Sequence, residues 1–326
     1  MTPSSVPGTL DGVNKPRMLR LEHGVTTIDV DFLRPGMASS HLIVDAGRAA
    51  FVDVGTSFAT PLLVDALGEH GLTSADVEFV ICTHVHLDHA GGAGTLMREL
   101  PEATLVVHPR GARHMIDPSK LIAGATAVYG EEDMKRWYGE IAAVDAARVI
   151  EAPEGFELGL GERTLRFIDS PGHARHHFAV VDETARGVFT GDSFGLAYPE
   201  FVTADGPWIF PTTSPVQFDA EALHATIDRI VGFGLDYAYL THYGRVGDLP
   251  KLAADLHRLI DAAVAIARRH QHDGESRHPS IVDGLFELYL TDLRAHGATI
   301  EESAAREVLA LDVDLNASGM EIALDR

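Results

Sequence analysis

The segment THVHLDHAGG, Thr83 to Gly92, places three histidines and an aspartate within six positions, His84 to His89, and runs directly into two glycines. Three further stretches each end a strand-like run on a possible metal ligand: SPGH at His173, TGD at Asp192 and LTHYG at His242. Strand ends are where an α/β scaffold gathers chemistry. Mixed imidazole and carboxylate donors suit zinc, iron or manganese, whereas an all-oxygen set would point to magnesium or calcium. His84 and His86, two apart on an extended segment, point the same way, and Asp88 and His89 just beyond them are free to turn toward a second ion. Seven ligands are too many for one ion and fit two, with one carboxylate bridging. An isolated H-x-H pair would read equally well as two surface or core histidines. Four converging strand ends favour the metal.

The elements that must hold these residues alternate along the chain. HLIVDAGRAAFVDVG reads as a hairpin turning at Asp45, Ala46 and Gly47, followed by a helix over about Pro61 to His70. VEFVICT is an apolar strand ending where the histidine cluster begins, GGAGTLMREL opens a helix, and ATLVVHP is the next strand. Residues 109–141 have a helical pattern carrying Tyr129, Met134, Trp137 and Tyr138, an insertion placed to lie over a site. The second half repeats the scheme with TLRFIDSPGH, a hairpin HHFAVVDETARGVFTGD, a helix FDAEALHATIDRIVGF and a strand YAYLTHYG. From Pro250 the pattern is helical to about Leu311, broken near residues 272–279. The expected fold class is therefore layered α/β. Its parts are a flexible lead-in over 1–18, a catalytic domain over 19–248 and a helical extension over 249–326 packed on it.

Composition narrows the partners. The 326 residues include 26 Lys and Arg against 48 Asp and Glu, a formal net charge of −22, which repels phosphate backbones rather than neutralising them. Nucleic acid and anionic membrane are poor partners on this reading, a small-molecule substrate is the expected one, and a homo-oligomer stays open. The single cysteine, Cys82, excludes an intrachain disulfide and lies in an apolar strand where an inert buried thiol is expected. With no apolar signal core in MTPSSVPGTLDGVNKP, the expected location is cytoplasmic.

Through H-x-H-x-D-H followed in order by His, Asp and His, roughly Leu19 to Gly247 resembles the metallo-β-lactamase-fold hydrolases. The resemblance implies a four-layer αβ/βα sandwich with C-terminal helices. It implies that His84, His86 and His173 hold one ion, that Asp88, His89 and His242 hold a second, and that Asp192 bridges them. Two divalent ions are expected, zinc favoured, with iron or manganese as alternatives. Asp53 in VDVGTS matches the acidic turn that orients the cluster from behind, though it also reads as a turn former before Gly55. His177 resembles an orienting histidine in relatives with a longer G-H-x-x-x-H pattern. His176 reads equally as a plain strand residue.

Departures within the superfamily narrow the chemistry further. True β-lactamases lack the bridging Asp, flavodiiron proteins carry an acid where His86 stands, and persulfide dioxygenases leave the second metal position unused. What remains resembles the glyoxalase II and acyl-homoserine lactonase branch, in which a metal-bridging hydroxide attacks a carbonyl, with Asp88 helping to orient it. The lactonase tyrosine three residues after the bridging Asp is absent, since Gly195 stands there, and Tyr198 is the nearest substitute as a catalytic hydroxyl. QFDAEALHATIDRI resembles the F-D-x-E helix entrance of lactonases, or a helix capped by Asp219. No basic cluster in the C-terminal helices suits the carboxylates of glutathione. The aromatic stretches 129–138 and 194–210 are both candidates to line a pocket, the second favoured because it follows Asp192. Lactone or ester hydrolysis is thus expected, with thioester hydrolysis as the alternative and a diiron oxidoreductase or a metal-bound sensor behind both.

Overall fold

Runs of β-branched and aromatic residues build two sheets. In the computed structural model, which describes residues 17–213 and 215–326, the expected lead-in lies almost wholly outside the described residues. The first sheet takes β1 (Met18–Arg20), β2 (Val25–Asp29), β3 (Ser39–Asp45), β4 (Arg48–Val52), β5 (Val77–Cys82), β6 (Thr104–Val107) and β7 (Val149–Glu151) in that spatial order. The second begins with β8 (Glu157–Leu160), β9 (Arg163–Asp169), β10 (Phe178–Asp182) and β11 (Gly187–Gly191). A two-stranded ribbon, β12 (Leu196–Thr203) and β13 (Gly206–Phe210), interrupts it before β14 (Tyr237–Leu240) and β15 (Gly244–Val246) complete the order β15-β14-β11-β10-β9-β8.

Side-chain alternation shows the layering. Along β4, Ala50 and Val52 join a core that also holds Phe167, Phe178, Val180 and Phe189 of the second sheet, while Ala49 and Phe51 join the core beneath the helices. Strands β10 and β11 alternate in the same way, with Val180 and Phe189 facing the other sheet and Val181 and Val188 facing away. A sheet buried on both faces needs a partner on each. Helices α1 (Thr60–Glu69), α2 (Leu87–Ala90) and α3 (Ala93–Glu99) follow β4 and β5. Between β6 and β7 stand α4 (Pro109–Ile116), α5 (Ser119–Tyr129) and α6 (Glu131–Tyr138), where the insertion was expected. On the second sheet's side lies α7 (Ala220–Gly232), capped by Asp219, whose side chain accepts from Ala222 N at 3.1 Å. The result is the four-layer αβ/βα sandwich with C-terminal helices α8 (Leu249–His270), α9 (Arg277–Ala295) and α10 (Glu302–Leu324).

Two expectations change. The helical tail does not stop near Leu311 but runs to Leu324. Its apolar stripe, Ala305, Val308, Leu309, Val313, Ala317 and Met320, is interrupted by the buried Asp312 and Asn316, which masks the helical period in the sequence. The stretch 194–210 is the second. Tyr198, Phe201 and Phe210 are fully buried, Trp208 packs edge-on against Tyr289 at 5.8 Å, and its Nε1 donates to Asp292 Oδ2 at 2.9 Å. These aromatics form the seam that fixes α9 and α10 to the body, not an open pocket wall. Among the described residues no helix is long and apolar enough to cross a membrane.

Candidate metal centre

Strand direction brings the ligands to one edge. β9 and β11 both run antiparallel to β10, and β14 runs parallel to β11, so all three end on the same side. Their exits carry His173, Asp192 and His242, while β5 of the first sheet delivers His84 and His86, and the short α2 delivers Asp88 and His89. The sheets are tied at this edge: Phe178 N donates to Thr83 O at 2.9 Å and Ser39 N to Thr241 O at 2.6 Å. Two glycines permit the approach. Gly191, at φ +49°, precedes Asp192, and a Cβ there would stand 2.4 Å from Thr83 Oγ1 and 2.6 Å from His177 Nε2. A Cβ on Gly172, beside His173, would meet the Leu223 backbone of α7 at 2.4 Å.

All seven predicted ligands converge. His84 Nε2 and His173 Nε2 each stand 2.9 Å from His86 Nδ1. One ring nitrogen does not form hydrogen bonds to two imidazoles with a single proton or lone pair, but three nitrogens aimed at a common point are what an ion requires. His242 Nε2 and His89 Nε2 lie 3.3 and 3.6 Å from Asp88 Oδ2. Asp192 faces both triads: Oδ1 is 3.2 Å from His89 Nε2, and Oδ2 is 3.5 Å from His173 Nε2.

The supports fix the tautomers. Asp53, in a left-handed conformation at φ +51° and fully buried, accepts from Thr83 N at 2.8 Å, from the Thr83 and Thr241 hydroxyls, and from His89 Nδ1 at 2.8 Å. His89 therefore presents an unprotonated Nε2 to the carboxylates. His242 does the same, since its Nδ1 donates to Met37 O at 2.8 Å. His177 accepts from Asp192 N at 3.2 Å and so donates from Nδ1 to Ser170 Oγ at 2.6 Å, steadying Asp192 from behind. Thr83 and Thr241 were not singled out from sequence, although a Thr-His pair ends both β5 and β14. That repeated dipeptide is the signal.

Electrostatics fit a pair of cations. Burial pushes His84 well below the ordinary imidazole range and, with His173 adding, His86 down to about 3. Both stay neutral, as ligands must. Burial also works against charging His89 and His242, but Asp192 and Asp88 outweigh it and raise both. Asp192 is held well below the carboxylate range, with His89, His242 and His173 overcoming its burial. Yet His89 Nε2 and Asp192 Oδ1, buried and facing one another, make no hydrogen bond among the described residues. This buried pair calls for positive charge between nitrogen and oxygen, which a proton on the raised His89 supplies and which a bound ion would supply in its place. The donor set thus fits two divalent ions.

Around the ligands, α5 and α6 bring Tyr129 and Tyr138 near Asp88. Burial first, and then the Asp88 charge, push the Tyr129 hydroxyl up to about 12 and that of Tyr138 further in the same direction. Trp137 lies 5.4 Å from Tyr129, and Phe32 lies 5.7 Å from Tyr138. The first aromatic stretch, not the second, approaches the centre. Tyr198 is fully buried, with its hydroxyl donating to both oxygens of Asp312 at 3.1 and 3.2 Å and Arg34 over its ring at 4.4 Å. Asp312 feels His242 and Asp192, and burial carries its carboxyl up to about 6. It was not foreseen from sequence. His176 stacks 6.2 Å from His84 and is not among the seven, and Cys82 is fully buried with its thiol pushed up by burial.

Comparisons with known proteins identify the family. The metallo-beta-lactamase fold-containing protein ST1585 of Sulfurisphaera tokodaii is 28% identical over 221 residues, 65% of this chain and 76% of that protein. Its crystal structure superposes with a TM-score of 0.62 at 23% identity over 91% of this chain and 98% of that one. A hydroxyacylglutathione hydrolase of Rhodopseudomonas palustris is 26% identical over 47% of this chain, and the N-acyl homoserine lactonase AttM of Azorhizobium caulinodans is 32% identical over 33%. Those two alignments span 46% and 36% of the relatives' own lengths. The family model described as "Metallo-beta-lactamase superfamily" matches residues 33–242, which reach from the loop before β3 to the last ligand, and the chain belongs to that superfamily.

Proposed function

We propose that the chain is a binuclear metal-dependent hydrolase acting on lactones or carboxylic esters with apolar groups. The observation that carries the reading is Asp192, which turns one carboxylate oxygen toward each triad. Two ions bound there, zinc favoured, would supply a hydroxide nucleophile near neutral pH and positive charge for the developing oxyanion. Asp88, whose side chain is 22% exposed against 0–6% for His89, His173, His242 and Asp192, lies toward the opening, where its carboxylate would orient the attacking oxygen. Asp53 and His177 hold the ligands in register. Tyr198 has its proton committed to Asp312, so we give it a positioning role: it holds that carboxyl behind His242 and Asp192. The roof of Tyr129, Trp137 and Tyr138 favours an apolar acyl or leaving group, at about 25 cal/mol per Å² of surface covered.

Thioester hydrolysis is the second reading, favoured by the hydroxyacylglutathione hydrolase relative. A kinetic panel separates them: acyl-homoserine lactones, γ- and δ-lactones, aryl esters and S-lactoylglutathione on metal-loaded enzyme. We expect the highest kcat/KM among the lactones and esters. A preference of ten-fold or more for the thioester, ~1.4 kcal/mol of transition-state stabilisation, overturns the substrate assignment.

A further inference from the structure

Outside the centre, two helices repeat a short sequence phrase. HATID, His224 to Asp228, lies on α7, and HRLID, His257 to Asp261, lies on α8. In each, histidine and aspartate stand four residues apart on one helix face, and the isoleucine between them, Ile227 or Ile260, is buried. The pairing is crossed. His224 Nε2 meets Asp261 Oδ1 at 3.1 Å, and His257 Nε2 meets Asp228 Oδ1 at 3.0 Å.

A carboxylate only accepts, so each Nε2 carries a proton, and the Nδ1 of a neutral ring presents a lone pair. The two Nδ1 atoms face one another at 2.6 Å. Two lone pairs so close repel, and either a proton shared between the rings or a metal ion bound to both relieves the repulsion. Their ring centroids are 4.8 Å apart, within the 4.5, 4.7 and 4.9 Å spacings among His84, His86 and His173, although their planes lie 22° apart where those pairs stand at 78°, 79° and 82°. The carboxylate behind each imidazole repeats the device by which Asp53 orients His89. The histidine side chains are 26% and 28% exposed, which leaves room for water to complete a coordination shell.

We propose that His224 and His257 form a further metal site, taking one transition ion through their two Nδ1 atoms and clamping α7 to α8. Nitrogen–metal bonds of ~2.0–2.1 Å put neighbouring ligand nitrogens ~2.9 Å apart at right angles and ~3.3–3.4 Å apart in a tetrahedron, so the Nδ1 atoms must part by ~0.3–0.8 Å, a rotation open to side chains 26% and 28% exposed. Two imidazoles select copper, nickel or zinc and give magnesium and calcium no oxygen cage. The ion bridges the last helix of the sandwich and the first of the C-terminal extension, so it stabilises their contact without entering the reaction.

The test starts from protein already holding two zinc ions and titrates more Zn²⁺ by calorimetry. One additional ion should bind in the micromolar range and raise Tm. In His224→Gln and His257→Gln that step should weaken ten-fold or more, while the first two ions and the hydrolytic activity are retained. Imidazole ¹⁵N NMR on the unmodified protein gives a readout that needs no variant: added zinc should shift two further Nδ1 resonances. Absence of another ion up to ~1 mM, unmoved Nδ1 resonances, or binding that persists in both variants would overturn the site and leave a hydrogen-bonded histidine pair. Because the two-zinc state is established first, failure here is distinct from failure of the binuclear centre.

Discussion

Asp192 and Asp53 are both buried carboxylates at the same centre, but they do different work. Asp192 faces both triads, whereas Asp53 reaches the ions only through His89 and the two threonines. Asp192→Ala should therefore lose metal and activity beyond the ~10–100-fold expected when an orienting partner such as Asp53 is removed. Elemental analysis beside kcat measures the ranking, and equal losses would contradict the bridge. Tyr198 and Asp312 are argued to act as a unit, so Tyr198→Phe and Asp312→Asn should each lower kcat with metal content and KM preserved. The double variant should fall little below either single one. Additive losses would separate them. At this scale the convergence of the seven candidate ligands was legible because each occupies a spacing or a strand end that the sequence displays. Asp312 was not, because its place against the Tyr198 hydroxyl depends on how α10 seats against β12. In the sequence it is only a polar residue that breaks an apolar stripe.

The elements carry information that side-chain chemistry cannot. Hairpins and single strands were readable from alternation and from the turn at Asp45 to Gly47, and so was the helical insertion. The ribbon β12–β13 was misread as pocket lining because aromatic content does not say which neighbour will cover it; α9 and α10 do. Backbone geometry at strand exits makes a sharper claim. Gly191 combines positive φ with a Cβ position occupied by Thr83 and His177, so Gly191→Ala forces both strain and a displaced support. We expect a loss of about 1 kcal/mol or more, lowering Tm by ~2–4 °C, together with weaker metal retention. Thermal melts with and without added zinc check this. A variant with unchanged Tm and full metal content would show that the exit of β11 tolerates a side chain.

For the whole molecule, the −22 charge acts on any substrate before contact. A thioester of net negative charge, such as S-lactoylglutathione with two carboxylates against one ammonium, approaches against the field and a neutral lactone does not. Raising salt from ~0.01 to ~0.15 M shortens the Debye length from ~30 to ~8 Å, so KM for S-lactoylglutathione should fall while KM for a lactone stays level. Parallel titrations of both substrates measure this, and identical salt responses would exclude long-range steering. The placement of the ligands has a different consequence, for cooperativity. β5 and α2 of one half and β9, β11 and β14 of the other contribute to a single centre, so ions bound there would act as a rivet through two stacked plates. With the rivet in, heat should melt both plates in one transition. Chelation removes a stabilisation of ~4 kcal/mol at a thousand-fold excess of ion over Kd, and it removes it at the join. Calorimetry of the stripped protein should then show the endotherm broaden or split, and refilling with zinc should fuse it again.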